Sequence, residues 1–328
     1  KLSRQRIEGY RNFGTKLWNA ARFAQMNEAR RVEGFDPAAV DRTINRWIRG
    51  ELTRAERQVA SAIEGGRFDD AASALYRFVW NVFCDWYLEL AKPVFTGADE
   101  AAKAETRAMT AWTLDQTLKL MHPVMPFITE ELWAQLAADG APRAEPTLIG
   151  AAWPELPEEF LNSRADDVDW LINTVTALRS TRAEIGVAPA IKLTLALHNP
   201  VPETRGRFER HGDAIKTLAR LGEISVVASQ PEGSITAYIN GATAFIPLGG
   251  VIDPVAERAR HTRDLQTFES DIAHLRKKLD NPNFVARAAP EVVEEQRAKL
   301  TEAEAGRIKA ESALARVAEM EQVLRAPR

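Results

Sequence analysis

The spacing of apolar residues changes twice along this chain, and no single fold class accommodates all three spacings. Up to about residue 140 the spacing is helical. Ile7, Tyr10, Gly14, Leu17, Trp18 and Ala21 form one stripe, and residues 3–30 are expected to form a first helix. Asp36-Pro37 reads as a helix start, a cap residue followed by proline at the first helical position. The stripe Val40, Ile44, Trp47, Ile48, Ala55, Val59 and Ile63 follows, and Gly65-Gly66 ends it. Phe68, Ala71, Ala72, Leu75, Val79, Val82, Phe83, Trp86 and Leu90 mark a third helix, which Pro93 should close. A fourth is expected from about Asp99 to Met121, stopping before His122-Pro123, and a short fifth from Phe127 to Leu136. Short connections make consecutive helices antiparallel neighbours.

Prolines 126, 142, 146, 154 and 157 punctuate or flank residues 141–163, which read as a linker laid over the bundle. A helix from about Asp166 to Ile185 comes next. The period then becomes two: Ile191 to Leu197 alternates as a half-buried strand should. Glu223–Ser229, Ile235–Asn240 and Thr243–Leu248 are further strands, and Asn240-Gly241 is a hairpin turn. A helical stretch around Phe208–Leu221 interrupts them. After Asp253-Pro254 the steps become 3-4-3-4 through Leu265, Phe268, Ile272, Leu275 and Leu279, the seam of a coiled coil. Asp280-Asn281-Pro282-Asn283 stops that helix, and Ala289-Pro290 starts its partner. In the partner Leu300, Ala303, Ala310, Leu314, Val317 and Leu324 fit a seam, whereas Arg307 and Glu321 do not. The expected fold is mainly α: an antiparallel helical bundle with its linker (1–163), a small α+β domain (164–253) and an antiparallel two-helix coiled coil (254–328). Each arm of the coil would be roughly 40 Å long.

Composition narrows the function classes. Cys84 is the single cysteine among 328 residues, so neither a disulfide framework nor a cysteine zinc site is available. No signal peptide and no membrane-spanning apolar run is seen, which implies a cytoplasmic protein without a membrane partner. The net charge of -3 argues against nucleic acid only if charge is evenly spread, and residues 1–31 carry a local balance of +6.

On a wheel of 100° per residue, Gln5, Asn12, Lys16, Asn19, Phe23, Asn27 and Arg30 fall nearly opposite the first apolar stripe. Arg11 and Arg22 add cations to the same helix. An aromatic ring among amides and cations suits unpaired bases: the ring stacks, the amides bond base edges, the cations hold phosphates. The alternative is that Phe23 packs against a neighbouring helix and the amides are merely solvated. On the coil, Arg258, Arg260, Arg263, Arg276, Lys277, Lys278 and Arg287 could track a phosphate backbone or simply form a solvated face. His122 is expected to close a helix, Cys84 to be a buried small hydrophobe, and Asp69-Asp70 to favour a helix dipole. No metal-ligand spacing, phosphate loop or nucleophile elbow is present.

Several segments resemble the anticodon-binding domain of bacterial valyl-tRNA synthetases. They are residues 1–23, Phe68-Asp-Asp-Ala-Ala, Trp80 to Lys92, His122 to Trp133, Phe245-Ile-Pro-Leu, Leu279 to Val285 and Ala289 to Val293. The resemblance covers nearly the whole chain, and the Lys16–Phe23 segment and the hairpin are its most specific parts. The family's ATP signatures, His-x-Gly-His and Lys-Met-Ser-Lys-Ser, are absent. The resemblance therefore implies a tRNA-binding C-terminal half, catalytically inactive by itself. ATP and magnesium would serve only the longer enzyme, with no cofactor in this chain. It further implies tRNA(Val) and the catalytic half of the same polypeptide as partners, a monomer, and Phe23 as the aromatic that meets the anticodon loop. A helical scaffold whose coiled coil binds another protein is the alternative.

Overall fold

The computed structural model describes residues 4–138, 140–162, 166–187, 190–249, 254–282, 284 and 290–325, with no side-chain surroundings for residues 4–7, 290, 291, 316, 319, 320 and 322–325. The chain is mainly α with one four-stranded sheet among these residues. It divides into two compact units, Lys1–Ile172 and Asn173–Arg328.

The first unit is a helical bundle of α1 (Arg4–Met26), α2 (Thr43–Glu64), α3 (Phe68–Tyr76), α4 (Leu88–Thr96), α5 (Glu100–Met121), α6 (Pro126–Ala137) and the start of α7 (Asp166–Glu184). Large side chains such as Ile48, Leu52, Phe83, Tyr87, Met109, Leu114 and Leu118 are fully buried in its core. The core also holds a closed polar cluster. The Tyr87 hydroxyl lies 3.0 Å from Asn45 Oδ1 and 3.1 Å from Thr110 Oγ1, and Asn45 Nδ2 donates to Glu105 at 2.8 Å. Burial raises the pKa of the Tyr87 hydroxyl.

Four local expectations are corrected. First, α1 ends at Met26, not near residue 30. Glu28 takes a positive φ of 58°, and the Asn27 side chain donates to the Phe23 carbonyl at 2.8 Å, so the last turn is capped and the chain reverses. Second, Asp36 caps only a single 3-10 turn, Pro37–Ala39; α2 begins at Thr43, where Glu105 accepts from the Asp41 and Arg42 amides at 3.1 and 2.9 Å. Third, Pro93 does not close its helix. From Phe68 to Thr96 the winding is unbroken and ends at Gly97; Pro93 is exposed, so water can serve the carbonyl that its missing N–H leaves free. The middle of this run, Arg77–Tyr87, is wound as a π-helix. Fourth, Phe68, placed in the core by its spacing, is 68% exposed at the first turn.

The proline-rich stretch does lie on the bundle. Leu148, Leu156 and Phe160 are buried, the Trp133 indole donates to the Glu145 carbonyl at 3.3 Å, and the Arg49 guanidinium sits 4.3 Å from the centre of the Phe160 ring.

The second unit contains the rest of α7, the sheet and the hairpin. Strand order is β2-β1-β4-β3, formed by β1 (Leu193–His198), β2 (Leu221–Val227), β3 (Ser234–Ile239) and β4 (Ala242–Pro247). α8 (Pro202–Ala219) carries the chain from β1 to its parallel neighbour β2, while β4 pairs antiparallel with β1 and β3. The turn Asn240-Gly241 joins β3 and β4 as its sequence predicts. Gly241 has a φ of 84°, and a Cβ there would stand 2.1 Å from Thr204 Oγ1, so only glycine fits. α9 (Pro254–Leu279) and α10 (Pro290–Arg325) form the hairpin. Ile272 and Leu275 are buried against Ala303 and Leu300. Phe268 packs over Gly306, where a Cβ would lie 2.5 Å from the ring. Glu321, a misfit by spacing, receives a two-pronged bond from Arg258 at 3.1 and 2.8 Å.

Candidate nucleic-acid interface

α1 carries the first set of candidates. Its buried side chains are Phe13, Leu17, Ala20, Ala21 and Ala24, with Gly14 buried among them, while Tyr10 is 66% exposed and Trp18 half-buried. The buried band is therefore rotated by roughly 60° from the expected stripe, at 100° per residue. The cause is packing on both sides, by α5 and α6 and by the π-wound run. Asn12, Lys16, Asn19 and Phe23 still share an arc of roughly 60°, but beside the buried band rather than opposite it. That placement explains why Phe23 and Lys16 are half-buried while Asn12 and Asn19 are exposed. Arg11 and Arg22 are exposed on the outer flank of α1. Gln5 lies in the first turn, outside the described side chains. Asn27 and Arg30 do not belong to the face: Asn27 caps the helix, with its own carbonyl receiving Arg107 Nε at 2.8 Å, and Arg30 lies beyond the reversal.

Four partners of this face come from the unbroken run on the neighbouring side. Lys16 Nζ is 2.5 Å from Asp85 Oδ1 and 3.9 Å from the centre of the Trp80 ring. The lysine charge is thus matched by a carboxylate. Phe23 packs 6.1 Å from Phe95 with a tilt of 49°, and Lys92 Nζ stands 5.8 Å from its ring centre. Phe23 is thus half-buried, packed near Phe95 and close to the exposed Lys92. His122 ends α5 as expected, with Nδ1 2.9 Å from Thr129 Oγ1. Cys84 is buried and its thiol is pushed up to about 12 by desolvation, so it is an inert hydrophobe.

The hairpin carries the second set. Arg260 and Arg276 are paired, with Glu257 at 2.6 Å and Glu304 at 2.6 Å. Lys278 donates to Gln296 at 3.2 Å and stands 5.0 Å from the Phe284 ring centre. Arg263 and Lys277 are exposed and have no ion-pair partner among the described residues. Arg287 lies outside the described residues. Within an arc of roughly 80° opposite the seam, α9 places Arg263, Thr267, Ser270, His274 and Lys277, with no carboxylate; Arg260 and Lys278 lie at its edge, where they reach Glu257 and Gln296. Arg276 falls on the side facing α10, which is why it finds Glu304.

Residues 253–318 match the family model described as the valyl tRNA synthetase tRNA binding arm, and residues 45–197 match the anticodon-binding domain of tRNA ligase. The valine–tRNA ligase of Caulobacter vibrioides is 55% identical over 97% of this chain. The chain belongs to the valyl-tRNA synthetase family. The valine–tRNA ligases of Mesorhizobium japonicum and Rhizobium meliloti are 51% and 49% identical, each again over 97% of the chain. The chain spans about a third of the length of these relatives, 35%, 34% and 34% respectively. The arm match begins at residue 253, next to the start of α9 at Pro254. The anticodon-domain match begins at residue 45, so the α1 face of this family member lies before it.

Sequence reasoning missed Trp80, Asp85 and Lys92 as neighbours of the face, having assigned the aromatics of that run to packing. Their relation to α1 depends on the π winding, which brings residues 76, 80 and 85 into line at more than four residues per turn. It also missed Thr267, Ser270 and His274, which a wheel of α9 could have found.

Proposed function

We propose that this chain is the tRNA-holding part of a valine–tRNA ligase, binding tRNA(Val) while a catalytic half in the same polypeptide attaches valine with ATP. The bundle, residues 1–163, would read the anticodon loop through the α1 face. The α+β part, residues 164–253, would set the hairpin of residues 254–328 against the outer corner of the folded tRNA. The observation that carries this reading is the coexistence, in one family member, of two RNA-suited surfaces. One combines a half-exposed phenylalanine with amides on α1; the other is a carboxylate-free basic face on α9.

The chain works as a monomer in this reading, supported by a coil whose seam is closed internally by Ile272, Leu275, Leu300 and Ala303. Among the described residues no helix is long and apolar enough to cross a membrane; the cytoplasm is the proposed location. In this reading ATP and magnesium serve the longer enzyme: the family's two ATP signatures do not occur in this sequence. No chemical step is assigned to them.

The test is binding of a valine tRNA transcript to this chain, with an anticodon-mutated transcript as control. Tighter binding of the first is expected. Equal affinities would remove anticodon reading, and no binding of either would remove the tRNA role.

A further inference from the structure

We propose that Tyr76, backed by Phe13 and Trp80, is a second stacking platform for an unpaired RNA base, separate from Phe23 along α1. The proposal rests on the tRNA-holding reading and adds a residue to it.

Three rings meet where the end of α3 passes α1. Phe13 and Tyr76 have centroids 5.1 Å apart at 24°, Tyr76 and Trp80 5.5 Å at 12°, and Phe13 and Trp80 6.4 Å at 16°. All three planes are therefore nearly parallel. Their accessibility is graded. Phe13 is buried, with 7% of its surface exposed, while Tyr76 keeps 42%. Trp80 has the Lys16 ammonium over its ring, with Asp85 holding that lysine in place. Tyr76 is thus the ring with surface to offer, and the other two fix its plane.

A rigid, partly exposed aromatic plane is what an unstacked base needs. Packing alone explains Phe13, which is covered, but leaves nearly half of Tyr76 in water. The surroundings suit a base edge and a backbone: Asn12 and Asn81, each next in sequence to a ring of the cluster, are exposed, as are Arg11 and Arg77. Phe13 precedes Phe23 by ten residues, about 15 Å along the helix axis. The two platforms are therefore distinct, and both lie within the span of a single RNA loop. Stacking is indifferent to base identity, so this platform adds affinity and register rather than sequence preference.

The experiment compares this chain with its Tyr76→Ala, Tyr76→Phe and Phe23→Ala variants for binding an anticodon stem-loop RNA. Tyr76→Ala is expected to weaken binding roughly fivefold to a hundredfold, and Tyr76→Phe to stay within about twofold of the parent. Loss in Phe23→Ala with parental binding in Tyr76→Ala would overturn the platform and leave the tRNA reading standing. No binding by the parent chain would overturn that reading and the platform together. Should Tyr76→Ala fail to fold, nitration of the unaltered chain decides. Saturating RNA should protect Tyr76 but not Tyr238, which is 81% exposed in the other unit. Equal nitration of Tyr76 with and without RNA would overturn the platform.

Discussion

The two basic surfaces of this chain reach the same charge sign by different means. On α1 cations are few, and Lys16 is held by Asp85; what distinguishes the surface is aromatic rings and amides beside it. On α9 there is no exposed aromatic on the outer face, and the cations are sorted. Arg258, Arg260 and Arg276 are paired with carboxylates and Lys278 donates to Gln296, while Arg263 and Lys277 have no ion-pair partner among the described residues. Amides can read base edges and rings hold unstacked bases of any identity; unpaired cations meet phosphates of any sequence. Both surfaces carry basic residues, and the groups beside those residues separate them.

The largest effect that tests this contrast is on stability. Ile272→Ala should destabilise the second unit by about 2–5 kcal/mol, because it opens the internally closed seam of the hairpin. Denaturant unfolding with sedimentation of both proteins checks it. An unchanged stability, or a parent that dissociates from a dimer, would show the seam to serve another chain. Next in size is Phe23→Ala, expected to weaken tRNA binding by about 1–3 kcal/mol while the thermal midpoint stays close to the parent. A midpoint falling as far as that of a core variant would assign Phe23 to packing against Phe95.

Replacing Arg263 and Lys277 together by alanine should reduce the salt dependence of binding, its logarithmic slope falling by about 2, with the anticodon preference untouched. A slope equal to the parent's would mean that the outer face of α9 meets no phosphate. The smallest expected change is a gain. Asp85→Asn frees the Lys16 charge, and RNA affinity at low salt should rise by a factor of a few, about 0.5 kcal/mol for a surface pair. Weaker binding would instead show Asp85 itself to be a contact.

Much of this molecule was legible in the sequence where the physics is local. Asn240-Gly241 specifies its own turn because glycine tolerates a φ of 84°. Asp99 caps α5 by accepting the Ala102 amide at 3.0 Å, and Gly65-Gly66 ends α2. The seam of α9 follows from its own 3-4 steps. The failures fall where a distant group intervenes. Asp36 looks like the start of a long helix, but Glu105, far away in sequence, takes the amides that set where α2 begins. Tyr10 has the right spacing for the core and is exposed, because packing on both sides of α1 turned the buried band toward Phe13. Glu321 breaks a seam pattern until Arg258 is seen across from it.

The candidate site divides the same way. By itself the sequence determined that Asn12, Lys16, Asn19 and Phe23 share one side of α1, since helical geometry is fixed by the backbone. It also determined the carboxylate-free face of α9 and the absence of the ATP signatures. Tertiary structure alone decided which of those groups are already engaged. The π winding of Arg77–Tyr87 set Trp80 and Asp85 against Lys16, the capped turn removed Asn27 and Arg30 from the face, and Phe13 fixed the plane of the half-exposed Tyr76. Spacing gives the direction in which a side chain leaves its own helix. What waits there is set by a neighbour dozens of residues away in the chain.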